Sequence, residues 1–480
     1  MKFIVNYSLL KNKCRLLGLF SYSVLGICLS GCKKFADVPP PNDKLTSATV
    51  FTTDNSVNSA LSGMYYTLYG SDNTTFQLNL SVCPENSADE TQYYTQNDTY
   101  DPFFYNSLNV NNNTVYAIWT HLYGILYQAN AIIKGVEENT SLISAGMQKK
   151  AIGEAKFIRA FCLFYLTNFF GDIPLVITPD AVSNTNLARS DTSKVFDQII
   201  TDLAAAKAQL LTDYSSSTSG SRIRPIKYAA GALLARAYLY RKNWPRAEAE
   251  ADSVINAAGL YSLLSTSELS HTFLLDSKEA IFQMNMPAGS AYCGYTQYAW
   301  NYIYNNEKNF TPWMALTTSL VKAFEPGDKR FSNWVRSLNF QDSTYYYPYK
   351  YRNLEITTDN SAEAYTYLRL AEQYLIRAEA RARQNNLLGA KEDINVIRNR
   401  AGLGDTKAST QGELLLAIEQ ERRIELFCEM GHRWHDLKRT GRIDEVLGAA
   451  KTGWRSTAAL YPIPLLERNN DVNLTQNEGY

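Results

Sequence analysis

Residues 368–401 read LRLAEQYLIRAEARARQNNLLGAKEDINVIRNRA. Leu368, Ala371, Leu375, Ala378 and Ala382 recur at i, i+3, i+7, i+10 and i+14, and Leu387, Ala390, Ile394, Ile397 and Ala401 repeat that spacing. A 3.6-residue period places each row on one face of a helix. The spacing predicts two helices, over 363–384 and 387–400, packed through these rows. The alanines let the two backbones approach closely, as in a tetratricopeptide repeat.

A second pair is predicted over 225–241 and 244–257, where Leu234, Ala235, Tyr238, Ala247 and Val254 fall close to the same repeat spacing. Further helices are expected over 54–70, 113–137, 143–170, 190–211 and 411–429. Asp54 or Asn55 is the expected N-cap of the first, and Gly171-Asp172-Ile173-Pro174 the expected stop of the third. Residues 72–112, 285–313 and 340–354 lack helical period, and 215–221 is a Ser/Thr/Gly link. Tyr345-Tyr346-Tyr347 and Tyr349 to Tyr351 suit a short strand. The fold class is therefore mostly α: stacked helix pairs supporting an irregular, loop-rich lobe. Stacked repeats commonly present a surface to a partner.

The chain carries 47 basic and 47 acidic residues, so nothing in its charge favours nucleic acid. It contains no G-x-S-x-G elbow, P-loop or dinucleotide fingerprint, and only four histidines. Glu429 and His432 have the E-x-x-H spacing of a di-iron site. Such a site needs a second copy and two more glutamates, and Gly431 weakens a helix there. A charged turn with Trp434 buried is the better reading. No catalytic residue, metal or cofactor is singled out.

Tyrosine is the unusual count, at 33 of 480 residues. Two loops concentrate it with amides. Residues 92–105 hold Tyr93, Tyr94, Tyr100 and Tyr105 among Gln92, Gln96 and Asn97. Residues 292–313 hold Tyr292, Tyr295, Tyr298, Trp300 and Trp313 among Gln297, Asn301 and Asn306. A sugar ring has an apolar C–H face and a hydroxyl rim, and it suits a flat aromatic with amides around it. The candidate ligand residues are Tyr93, Tyr94, Tyr100, Tyr292, Tyr295, Tyr298, Trp300 and Trp313. The competing reading is that these rings pack the loops onto the scaffold.

The N-terminus reads as a lipoprotein leader. Lys2, Lys11, Lys13 and Arg15 precede an apolar run from Leu16 to Leu29, and Ser30-Gly31 precede Cys32. The run is too short to span a membrane, which takes about 20 residues. Residues 1–31 are the expected signal peptide and Cys32 the lipidation site; two or more acyl chains anchor stably. Residues 32–50, with Pro39-Pro40-Pro41, form a tether. Without the leader, four of the 47 basic residues and none of the 47 acidic ones are lost, leaving 43 against 47. Four scattered cysteines also remain, Cys83, Cys162, Cys293 and Cys428, with no C-x-x-C pair. Cys162 and Cys428 lie in apolar sequence and suit small core positions.

The chain resembles the RagB/SusD nutrient-uptake outer-membrane lipoproteins of Bacteroidetes-type bacteria. Phe35-Ala36-Asp37-Val38-Pro39-Pro40 is similar to that family's opening, and Trp119, Tyr123 and Asn130 fit its W-x3-Y-x6-N helix. Gly153 to Ala160, Phe170 to Pro174, Asp328-Lys329-Arg330, Leu370-Ala371-Glu372, Ala378-Glu379-Ala380 and Arg398 to Gly402 follow in order. Glu421 to Leu426, Gly431 to Trp434, Asp436 to Arg439, Gly441, Tyr461 to Pro464 and Gln476 to Tyr480 close the pattern. Glu478 stands where the family more often has proline.

The resemblance implies a SusD-like fold in which an N-terminal region, 51–222, and a C-terminal region, 223–480, form one intertwined body. Four tetratricopeptide-like helix pairs would support the lobe. It implies a lipid-anchored outer-membrane protein, facing outward, that caps a TonB-dependent (SusC-like) receptor. Such a lid binds oligosaccharides, or sometimes peptides, without cleaving them. Lys33-Lys34 follow the lipid cysteine where outward-facing members carry acids, and Asp37 is the nearest acid. Two other classes stay open: a surface glycoside hydrolase with two close carboxylates in its aromatic cleft, and a scaffold that binds no ligand. A Cys32→Ser chain is expected in the soluble fraction where the parent sediments with membranes, which cell fractionation checks.

Overall fold

The computed structural model describes residues 50–69, 76–217, 220–285, 294–309, 312–355 and 362–480. The expected signal peptide, Cys32 and all of the tether before Val50 lie outside the described residues. Residues Phe51–Tyr480 form one compact unit.

Helix α1 (Asp54–Tyr69) leads the body. Thr53, not Asp54 or Asn55, meets its first turn: the Ser56 N–H donates to Thr53 Oγ1 at 3.2 Å. Asp54 instead accepts from the N–H and hydroxyl of Ser144, at 2.8 and 2.5 Å. Helix α2 (Phe76–Ser87) corrects the expectation of irregular chain over 72–112. Every residue of α2 is buried, and Pro84 sits inside it. A helix enclosed on all sides shows no amphipathic period, so the pattern that reveals its neighbours is missing here. Strand β1 (Thr91–Tyr93) follows.

Then come the long helices α3 (Asn113–Glu138), α4 (Ala145–Phe170) and α5 (Thr192–Gln209). Asn112, Ser144 and Asp191 cap their N-termini through side-chain oxygens. Gly171 ends α4 as expected, at φ +73°, where a Cβ would meet Leu460 at 2.8 Å. The pair α6 (Lys227–Tyr240) and α7 (Trp244–Ile255) continues the stack. Strands β2 (Ala280–Met284), β3 (Met314–Leu316), β4 (Val335–Phe340), β5 (Ser343–Pro348) and β6 (Tyr365–Arg369) fall in the following insertion. The repeat then resumes with α8 (Leu370–Arg383), α9 (Leu387–Arg400), α10 (Gln411–Glu425), α11 (His432–Thr440) and α12 (Ile443–Ala450).

Helices α3 to α9 stack in sequence order, and α10 packs on both α8 and α9. Ala235, Leu239, Ala247, Ala251, Ile376 and Ala380 form one apolar cluster between α6, α7 and α8. Ala378, Ala382, Ala390, Ile394, Leu414 and Ile418 form the next. Both quoted rows thus face the interior as their spacing requires, with Leu387 alone partly exposed. The helix expected from residue 363 starts only at Leu370. Tyr365–Arg369 is a strand, wholly buried and antiparallel to β2, because aromatic and β-branched side chains there favour a pleated surface.

A buried ionic cluster closes the end of the repeat. Glu425 Oε1 accepts from Arg369 at 2.5 Å and from Arg400, while Oε2 accepts from Arg330 at 3.0 Å. Arg330 also pairs with Asp328 at 2.8 Å and Glu421 at 2.5 Å, and Arg400 with Glu279 at 2.7 Å. Glu429 is shared by Arg369 at 2.7 Å and Lys350 at 2.5 Å. The Trp334 ring lies under Lys350, Arg400 and Arg369, 4.8, 5.5 and 5.9 Å from its centroid. The three arginines hold the Glu425 carboxyl far below its ordinary range despite full burial. Removing one partner of such a pair leaves an uncompensated buried charge, which costs about 3–5 kcal/mol. Glu425→Gln is therefore expected to lower unfolding free energy by about 3 kcal/mol, read by urea denaturation; a loss below about 1 kcal/mol would contradict this account.

Candidate binding site

Strand pairing brings the two aromatic loops together. β1 runs antiparallel to β3, with Thr91 opposite Leu316 and Tyr93 opposite Met314. The Tyr94 N–H donates to Trp313 O at 2.9 Å, and Thr95 Oγ1 donates to Pro312 O at 3.0 Å. Tyr93 stacks on Tyr100, centroids 5.1 Å apart, and meets Trp313 edge-on at 5.5 Å. Tyr100 donates its hydroxyl to Asn79 at 3.0 Å. Both Tyr93 and Tyr100 are buried, so they form the wall behind a ledge. The ledge is Tyr94, 42% exposed, with its ring edge-on to Tyr345 of β5 at 4.7 Å.

The second loop is partly helical. Residues Gln297–Asn309 run through a short α turn, a π turn over Trp300–Tyr304, and a final α turn. Single π turns recur at functional sites. Tyr298 and Tyr302 lie one turn apart, centroids 4.6 Å apart, and both are buried. The Tyr302 hydroxyl donates to Glu85 Oε2 at 2.6 Å, and the Tyr298 hydroxyl donates to Cys428 O at 3.0 Å while lying 3.4 Å from Glu85. Asn306 accepts from the Trp313 N–H at 2.8 Å and donates to Met314 O at 3.1 Å, tying this segment to β3.

Of the candidate residues, the structure places Tyr93, Tyr100 and Tyr298 in the supporting wall. Tyr94 is exposed, while Tyr295, Trp300 and Trp313 are half-buried. Tyr292 lies outside the described residues. Sequence reasoning did not single out Tyr345 or Tyr105, although both sit in stretches noted for tyrosine. Tyr105 is 61% exposed and meets Phe104 edge-on at 5.1 Å.

A cleft of about 710 Å³ opens beside the ledge, lined by Gln92, Phe104, Thr317, Gln420 and parts of α10 and α12. Side chains alternate along a strand. Thr91 and Tyr93 point inward, so Gln92 faces outward into the cleft, two residues before the exposed Tyr94. Asp89 lies at its base, bound by Arg423 at 2.7 Å and Arg433 at 2.8 Å. Glu419 bridges Arg433 at 3.4 Å and Arg442 at 3.0 Å.

Glu429 and His432 act as parts of a turn. Both Glu429 oxygens are taken by Lys350 and Arg369, and Trp434 is fully buried. Gly431 stands at φ +70°, where a Cβ would meet Pro84 of α2 at 2.6 Å. Burial, then Arg236 and Arg422, push the His432 imidazole well below its ordinary pKa.

Glu85 is the buried acid beneath the aromatic segment, and burial pushes its pKa up to about 8 from 4.5. The raised folded value means its contribution is complete below pH 4.5 and is lost as pH rises toward 8. Glu85→Gln cannot ionise. The parent's stability relative to this variant is expected to fall by about 2–3 kcal/mol from pH 5 to pH 7, at about 1.4 kcal/mol per pH unit. Denaturation at the two pH values checks it, and a pH-independent difference contradicts it.

Known proteins share this fold. One family model, described as the SusD family, matches residues 332–480, and a second, "Starch-binding associating with outer membrane", matches residues 34–239. SusD-like protein P25 of Formosa agariphila is 27% identical over 94% of this chain and 97% of its own length. A crystal structure of a SusD superfamily protein from Bacteroides vulgatus superposes with a TM-score of 0.77 at 22% identity, over 89% of this chain and 99% of that one. A laminarin-binding SusD-like protein superposes with a TM-score of 0.72 at 23% identity, again over 89% and 99%. Two matched models that together span most of the sequence, an end-to-end relative and a shared mostly helical fold lead to one conclusion: the chain belongs to the SusD/RagB family.

Proposed function

We propose that this protein binds glycan without cleaving it, as the substrate-capturing lid of a TonB-dependent outer-membrane transporter. The observation that carries the reading is the Tyr94–Tyr345 pair with Tyr94 exposed, next in sequence to the stacked Tyr93 and two residues from Gln92 of a cleft of about 710 Å³. A preorganised aromatic surface loses little freedom on binding. The matched model's starch-binding description and the laminarin-binding neighbour support a glycan as ligand. The two carboxylates of the cleft, Asp89 and Glu419, are each held by two arginines, and Asp89 is kept below its ordinary pKa, a poor setting for a general acid. The leader ending at Cys32 and the model named for outer-membrane association support lipid anchoring there.

Calorimetry of the mature protein with laminarin and starch oligosaccharides tests this reading. Tyr94→Ala is expected to weaken binding at least tenfold, about 1.4 kcal/mol, with an unchanged melting temperature because the ring is exposed. Hydrolysis of an oligosaccharide by the purified protein, with no binding to any glycan in the panel, would overturn the proposal.

A further inference from the structure

The cleft beside the ledge carries more positive than negative charge. Arg423, Arg433, Arg442 and Lys451 line it, against the carboxylates of Asp89 and Glu419. Arg442 also reaches Glu445 at 3.0 Å, but the Glu445 side chain is 72% exposed, so water and salt screen that charge. The pairing leaves donors over. Arg423 commits only Nη2, to Asp89 and Ser319. Its Nη1 has no acceptor among the described residues. Lys451 gives its N–H groups to the carbonyls of Asn86, Ser87 and Phe104, so it supplies field and not a free donor. Burial pushes its pKa down to about 7, and an anion arriving in the cleft draws it back to the charged form.

Apolar side chains stand among these charges: Leu416 shares a face of α10 with Glu419 and Arg423, Val446 of α12 lies one turn after Arg442, and Phe104 also lines the cleft. The cleft therefore sets apolar and cationic side chains next to one another, and Gln92 of its lining stands two residues before the exposed Tyr94. A neutral sugar uses the ledge and the amides and offers the cations hydroxyl acceptors, but brings no charge to balance their excess. A sugar ring bearing an anionic substituent satisfies both kinds of side chain at once: its C–H face lies on Leu416 and Val446 and its anion meets the neighbouring guanidinium groups. Arginine's planar fork suits carboxylate and sulfate oxygens.

We infer that the glycan this protein captures is anionic, a uronic-acid or sulfate-ester oligosaccharide whose charged substituent sits between Arg423 and Arg442 in the cleft while a neighbouring ring lies on Tyr94. The inference rests on the glycan-binding reading and narrows it to a charge class.

The test is calorimetry on the mature protein with matched pairs: an oligogalacturonate against its carboxyl-reduced form, and a sulfated galactan oligosaccharide against its desulfated form. A glutamate-rich peptide is the third arm. At 20 mM salt the charged member of at least one pair is expected to bind tenfold or more tighter than its neutral partner. The ratio falls toward one at 500 mM salt. Arg442→Gln is expected to reduce the charged-to-neutral ratio at least fivefold. Leu416→Glu, a change at an exposed position, is expected to do the same by placing a negative charge on the α10 face that carries Arg423. Equal binding of charged and neutral members overturns the inference and leaves the glycan reading standing. Absence of binding to all four oligosaccharides overturns the inference, and the laminarin and starch panel then decides the glycan reading separately. Tighter binding of the acidic peptide than of either charged oligosaccharide overturns the inference in favour of a protein ligand. A ratio unmoved in both variants places the anion elsewhere and also overturns it.

Discussion

The Glu425 carboxylate, enclosed by Arg369, Arg400 and Arg330, is the constraint on which the other contacts rely. Its three partners come from the end of β6, the end of α9 and the segment before β4. A buried charge cluster tolerates only one arrangement of these segments, because any slip strands a guanidinium in a low-dielectric interior. Lys350 and Glu429 extend the cluster to the residues that follow β5. The ledge inherits this precision, since Tyr345 of β5 meets Tyr94 beside β3, which pairs with β1 and packs on β5.

The molecule divides its labour between short-range and long-range contacts. The helix pairs are local: neighbours in sequence are neighbours in space, with alanine at the contact. The aromatic lobe is the reverse. Tyr94 touches Trp313, Tyr302 touches Glu85, and Asp89 is held by Arg433. The long-range contacts shape the surface offered to a ligand, while the repeat supplies a rigid backing.

This division also explains what could be read in advance. The rows at 368–401 were legible because a half-buried helix has to alternate its faces. Helix α2 was not, because burial on every side removes the alternation. Residues 365–369 pass straight from strand into helix without a glycine or proline, so the apolar pattern alone carried the helix too far upstream. The aromatic loops were legible as a region, but composition cannot say which ring faces water. Tyr93, Tyr100 and Tyr298 proved to be support and Tyr94 the exposed member. The Glu421 to Arg423 and Arg433 motifs were recognisable as strings. Their pairing with Asp89 and Arg330 needs the third dimension.

The reversal between α10 and α11 is built from left-handed residues: Cys428 at φ 53°, Met430 at 47° and Gly431 at 70°. The first two adopt that conformation at a cost of about 1–2 kcal/mol each. They are held there from outside. The Cys428 N–H donates to Glu90 at 3.3 Å, its carbonyl accepts from Tyr298, and the Met430 N–H donates to Ser81 at 3.1 Å. The bend is thus held by residues of the N-terminal third and the middle of the chain, and the last helices belong to the same compact unit as those segments rather than forming a module of their own.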